Sequence, residues 1–146
     1  MKRFDWIALS KSILLGAAVL LLQLTAAAAA DSLVEQWTKG LAGARLTSYS
    51  GSVLRSNSTL TTIHFCRDGT YLYDREGSWS IPGTAAGASQ SSIHGHWKVE
   101  QRGLQMLLGY VTSSGESGAF QVHLQNDGRV NIGGEAYAVE ADRAGC

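Results

Sequence analysis

From Ala44 to Glu140, short runs rich in β-branched and aromatic residues alternate with glycine-bearing turns, and this punctuation most limits the folds open to the chain. Strands are expected at Ala44 to about Gly51, Thr59–Cys66, Thr70–Asp74, about His94 to Glu100, Leu104–Thr112, Ala119–Gln125, Arg129–Ile132 and Ala136–Glu140. The intervening turn signals are Arg67-Asp68-Gly69, Gln101–Gly103, Ser113–Gly118, Asn126–Gly128 and Gly133-Gly134, with a polar tip at Arg55–Ser58. Phe120, Val122 and Leu124 alternate with Gln121, His123 and Gln125, the pattern of an antiparallel strand with one buried and one wet face. Sequential hairpins of this kind predict an all-β fold, an antiparallel up-and-down barrel of about eight strands closed so that no edge is left exposed.

Two segments break the strand pattern. Leu33, Val34 and Trp37 fall at helical spacing behind an Asp31-Ser32 cap, which predicts a short N-terminal helix ending in the Gly40–Gly43 turn. Gly83–Ser92 holds mostly Gly, Ala, Ser and Thr without apolar periodicity, and is expected to be a long mobile connection.

The start of the chain has a different chemistry. Lys2 and Arg3 are followed by an almost unbroken apolar run, Ile13–Leu24, and then by the small residues Ala26–Ala30. This is the tripartite pattern of a secretory signal, residues 1–30, with cleavage expected before Asp31. The apolar run is about a dozen residues, whereas a membrane-spanning helix needs roughly twenty. An uncleaved N-terminal anchor is the alternative. No later run approaches membrane length, so residues 31–146 are expected to form one domain without a membrane span, periplasmic or secreted.

That destination gives the cysteines a meaning. Cys66 lies inside an expected strand and Cys146 is the last residue. In an exported domain an even count favours a Cys66–Cys146 disulfide. A buried Cys66 beside a free terminal thiol, or an intermolecular bridge through Cys146, are the alternatives. No Cys follows the small-residue run, so no lipoprotein-type acylation site is present.

Charge excludes one class of partner. The whole chain balances 12 basic against 12 acidic residues. Losing Lys2, Arg3, Lys11 and Asp5 with the signal leaves the domain slightly acidic, with no basic patch for nucleic acid or an anionic membrane.

The strings Leu41–Thr47, Phe65–Tyr71, Gly95–Val99, Asp127-Gly128 and Ile132–Tyr137 together resemble a family of small bacterial exported lipocalin-like domains, across nearly all of residues 31–146. Gly133-Gly134 stands where that family usually has Asn-Gly. The resemblance implies a small β-barrel or half-barrel with no established common activity, and supplies no catalytic residue. A weaker resemblance, to the periplasmic metalloprotease inhibitors of certain bacteria, implies an inhibitory N-terminal arm, here Asp31-Ser32-Leu33.

Candidate chemistry is sparse. His94 with His96, and His64 with Cys66, share strand faces and offer nitrogen and sulfur to a metal, but a Cys committed to a disulfide is no ligand. His123 falls on a polar face. Asp74 and Glu76 share a face, yet a glycosidase needs carboxylates that oppose each other across a cleft. There is no G-x-S-x-G elbow and no phosphate-cradling glycine loop. Neither catalysis nor a cofactor is therefore expected. Trp79, Trp97, Tyr71, Tyr73, Tyr110 and Tyr137 are placed to line a barrel interior, and in a domain this small they are expected to fill most of it. The reading is a non-enzymatic binding or interaction module. Its partner is either a small apolar ligand, contacted by Trp97, Tyr71 and Tyr137, or another protein, such as a protease to be inhibited.

Overall fold

The computed structural model describes residues 33–52, 57–81, 83 and 85–146. The expected leader 1–30, the expected cleavage point and cap at Asp31-Ser32, and residues 55 and 56 of the polar tip lie outside the described residues. A helix, α1 (33–41), leads into strands β1 (Arg45–Ser52), β2 (Asn57–Phe65), β3 (Thr70–Ile81), β4 (Ala85–Arg102), β5 (Gln105–Thr112), β6 (Ser117–Leu124), β7 (Val130–Ile132) and β8 (Glu135–Glu140). They form a closed barrel in chain order, each strand antiparallel to its neighbours.

The seam is short. β1 meets β8 through Arg45↔Glu140, Leu46↔Val139 and Thr47↔Ala138, and an Arg45–Glu140 ion pair joins the first of these. Side-chain alternation puts Leu46, Ile63, Phe65, Tyr71, Trp97 and Val99 inside. Val122 is the buried member of the Phe120, Val122, Leu124 series. Phe120 and Leu124 are 47% and 64% exposed, because the first stands at one rim and the second at a strand end. The expected wet and dry faces of β6 are therefore correct in direction, but only the middle residue is deeply covered.

α1 closes the barrel end from which β1, β3, β5 and β7 start. Leu41 is buried, with Val34 and Trp37 packed against the same core, a spacing that gathers them on one helix face. Leu33, expected to join them, is 44% exposed at the described start of the helix. Thr38 Oγ1 donates to the Val34 carbonyl at 2.8 Å, and Lys39 pairs with Glu35 one turn away at 2.7 Å.

Below this end runs the C-terminal tail. The Ala144 N–H donates to the Gly43 carbonyl at 2.9 Å, His64 Nδ1 lies 2.7 Å from the Ala144 carbonyl, and Arg67 pairs with Asp142. These contacts deliver Cys146 to Cys66 at disulfide distance, S–S 1.98 Å and Cα–Cα 5.7 Å. The intramolecular pairing expected from the sequence is thus the one the fold allows.

At the opposite end the walls differ in height. β3 and β4 pair from Thr70↔His96 up to Ile81↔Ala85, whereas β4 and β5 pair only from Gly95↔Thr112 to Arg102↔Gln105. β1 beyond Thr47 pairs with β2 alone. Strands β1 to β4 therefore continue past the rim as a four-stranded wall with two open edges. This corrects the expectation for Gly83–Ser92: residues 85–92 are strand, not a connection. Small side chains give no apolar periodicity there, yet strand pairing runs through the backbone, which β3 supplies at every position.

Candidate ligand cavity

The barrel interior is not filled. A cavity of about 360 Å³ opens toward the tall-walled end, which corrects the expectation that the aromatic side chains would occupy the space. That volume lies in the range of small-molecule sites.

Its floor is built from Phe65 and Trp97, whose rings meet edge-on with centroids 5.0 Å apart. Trp97 is fixed from three sides. Its indole Nε1–H donates to the Cys66 carbonyl at 3.2 Å, its backbone N–H donates to the Gly69 carbonyl at 2.8 Å, and its ring packs in the buried core. The floor is thereby tied to the strand end that carries the cysteine pair.

Tyr71, Tyr73, Tyr110, Leu108 and Tyr137 form the walls. Tyr110 lies across β6 at Gly118, where a Cβ would sit 2.8 Å from its hydroxyl, and Phe120 stacks on Tyr110 with centroids 5.4 Å apart. A glycine at 118 is what lets the Tyr110 ring lie flat beside the mouth. Among the aromatic residues singled out in the sequence, Trp97, Tyr71, Tyr73, Tyr110 and Tyr137 all reach this cavity. The side chain of Trp79 is outside the described residues.

Two carboxylates stand at the mouth, and sequence reading missed both. Glu116 belongs to the β5–β6 turn, which is pinned by Thr112: its Oγ1 accepts from the Glu116 N–H at 3.0 Å and lies 2.8 Å from Ser114 Oγ. Glu135 follows the β7–β8 turn, which is pinned by Asn131, whose Oδ1 accepts from the Gly134 N–H at 2.9 Å. Thr112 and Asn131 are both buried, so each turn is held from inside. The signal available in sequence was a Thr and an Asn set just before turns, each able to bond the turn backbone.

The electrostatics are simple. Burial pushes the Tyr137 phenol far above its usual pKa, and the Glu135 carboxylate, which accepts its hydrogen bond, adds to the effect; Arg75 opposes it weakly. Burial also raises Tyr71, helped by Tyr110 and Glu116. Both phenols are neutral donors at neutral pH. Neither Glu116 nor Glu135 takes part in an ion pair among the described residues.

The remaining candidates are scattered. His64 and His94 face the same register row of the outer wall, but Leu72 on β3 separates them. His96 pairs across with Thr70, and Cys66 is committed to Cys146. Among the described residues no cluster of three or more His, Cys, Asp or Glu is placed to hold a metal ion. Asp74 and Glu76 sit side by side on β3 rather than across a cleft, and His123 is exposed. No helix among the described residues is long and apolar enough to cross a membrane.

No protein-family model, no curated protein and no solved structure matches this chain. The lipocalin-like likeness therefore rests on the sequence motifs quoted above, and the closed eight-stranded barrel is a fact of fold alone.

Proposed function

We propose that this chain is an exported, non-enzymatic binding module, periplasmic or secreted, that carries a small ligand with an apolar body inside its barrel. The observation that supports this reading is the aromatic cavity of about 360 Å³ with its fixed floor and one open mouth. A domain of this size gains stability from a packed interior, and an unfilled one forgoes dispersion contacts. The Cys66–Cys146 pair at disulfide distance and the signal-like pattern of residues 1–30 support the location. Lipocalin-like membership is part of the same proposal and rests on the resemblance.

The test is native mass spectrometry of the protein exported through its own leader, followed by titration with 1-anilinonaphthalene-8-sulfonate and with neutral 1-aminoanthracene. Retained mass that is released on denaturation, or saturable probe binding abolished by Leu108→Trp, is the expected result. A bare mass together with no probe binding would overturn it.

A second reading is carried by the unpaired edges of the tall wall. β4 over residues 85–93 has β3 as its partner and, among the described residues, no strand on its other side. An extended segment of another protein adding to such an edge would use backbone bonds alone. This is the form that partner capture takes here, in place of the mobile loop. Lysine substitutions at Ser89 and Ser91 should abolish capture on this reading, and unchanged capture would exclude it.

A further inference from the structure

We infer that the cavity selects a cationic ligand, an amine carried on an apolar or aromatic body, with the ammonium group held at the mouth by Glu116 and Glu135. The inference rests on the cavity being a ligand site, and concerns what the site prefers.

The argument starts from what lines the space. Trp97 and Phe65 below, with Tyr71, Tyr73 and Tyr137 around, present aromatic surface to anything inside. Aromatic faces attract cations and give no comparable attraction to anions. Burial raises the Tyr71 and Tyr137 phenols, so these two add hydrogen bonds without charge. Of the lining residues, Glu116 and Glu135 are the two carboxylic acids, and no lysine, arginine or histidine stands beside them in the lining.

These two carboxylates reach the mouth from different hairpins, β5–β6 and β7–β8, each through a turn locked by a buried side chain. Preorganised groups lose little freedom when a ligand arrives. Neither is neutralised by a lysine or arginine among the described residues, so their charge is available to a ligand. Arg75, which faces inward higher on β3, acts on Tyr137 more weakly than Glu135 does and does not line the cavity. A carboxylate-bearing ligand such as a fatty acid would set its charge against both glutamates. An amine of the same shape would be held by charge-assisted hydrogen bonds.

Three probes of one size separate the possibilities: 3-phenylpropylamine, 3-phenylpropan-1-ol and 3-phenylpropionate, titrated by calorimetry into the full exported protein. The amine should bind at least about tenfold tighter than the alcohol, the carboxylate should bind more weakly still, and the amine's advantage should shrink as salt rises. The double variant Glu116→Gln, Glu135→Gln should bring the amine down to the level of the alcohol measured on the same variant. Gln keeps an acceptor for Tyr137, and the wild-type ranking stands as a test even if that variant misfolds. Equal affinity for amine and alcohol, or a preference for the carboxylate, would overturn the charge selection while leaving the cavity as a ligand site. Failure of all three probes with binding of neutral 1-aminoanthracene would also overturn it. Failure of every probe would remove the ligand site itself, and the selection with it.

Discussion

A Cβ built on Gly95 would lie 2.0 Å from the carbonyl oxygen of Val111, a distance that no side chain can tolerate. Gly95 is where β4 has both neighbouring strands for the last time: it pairs with Tyr71 on β3 and Thr112 on β5, and beyond it, after a bond from the Ser113 N–H to the His94 carbonyl, β3 is its strand partner among the described residues. The β4 and β5 backbones thus approach closely at the level where the β3–β4 wall rises past β5, and only a residue without a side chain fits there.

Gly95→Ala is accordingly expected to cost about 3 kcal/mol or more, since the obstacle is backbone and has little room to yield. Gly40→Ala is the control. It sits in α1 with nothing within 4 Å of the added Cβ, so it should stabilise by about 0.5–1 kcal/mol. Urea unfolding of the two variants checks both signs, and a neutral Gly95→Ala would show that the β4 and β5 backbones are not held this close.

Trp97 links the cavity floor to Cys66, which makes its contributions separable. Trp97→Ala removes the ring and its contact with Phe65 and should destabilise by about 3–5 kcal/mol. Trp97→Phe keeps much of the volume but gives up the bond to the Cys66 carbonyl, which still accepts from the Gly69 N–H at 3.2 Å. The expected loss is about 1–2 kcal/mol, with probe affinity largely kept. Comparable losses in the two variants would place the energy in the hydrogen bond and not in the floor.

The cysteine pair closes a loop spanning 80 positions and anchors a tail that otherwise has few contacts with the barrel. Cys66→Ser with Cys146→Ser should lower stability by about 4 kcal/mol in the chain-entropy view. Intact mass with and without reductant reports the bond, and denaturant midpoints report its worth. His64→Phe in the oxidised protein should cost less, about 1 kcal/mol, because it removes only the tail's contact at Ala144. If the doubly substituted protein matched the parent, the tail contacts alone would be holding that end.

Much of this architecture was legible in the sequence. Turn glycines and alternating runs placed a strand at each of the eight positions, although the one expected to end at Asp74 runs on to Ile81, and Trp97, Tyr71 and Tyr137, named from their strands, converge on one cavity. The upper part of β4 was not legible: Gly87, Ala88, Ser89 and Ser91 carry no apolar signal, and the strand exists because β3 offers it a partner at each residue. Glu116 and Glu135 were missed for another reason. They are turn and strand-start residues far apart in sequence, brought to one mouth by ring closure, which a linear pattern does not encode. The unfilled interior was likewise invisible. Counting large aromatic residues gives their volume but not how the short wall and the taller β1–β4 wall divide the space.

Alkaline pH offers a last test of the buried phenols. In the unfolded chain Tyr137 ionises near pH 10, whereas in the barrel burial and the Glu135 carboxylate hold its pKa well above that. The folded state then keeps a proton that the unfolded state releases, so the stabilising contribution is fully present below about pH 10 and is lost as pH rises further. Tyr71, shifted in the same direction, adds to this. Stability should thus be insensitive to these two groups at neutral pH and decline steeply above about pH 10, with a shallower decline in Tyr137→Phe. Absorbance at the phenolate band, followed alongside circular dichroism, makes the comparison direct. Tyr137 should resist ionisation until the barrel unfolds and Tyr71 should ionise above its ordinary range, and the resistant group should be missing in Tyr137→Phe. Titration of all five tyrosines near their ordinary value, with the fold intact, would mean that water reaches the cavity walls freely and that the site is wetter than its lining implies.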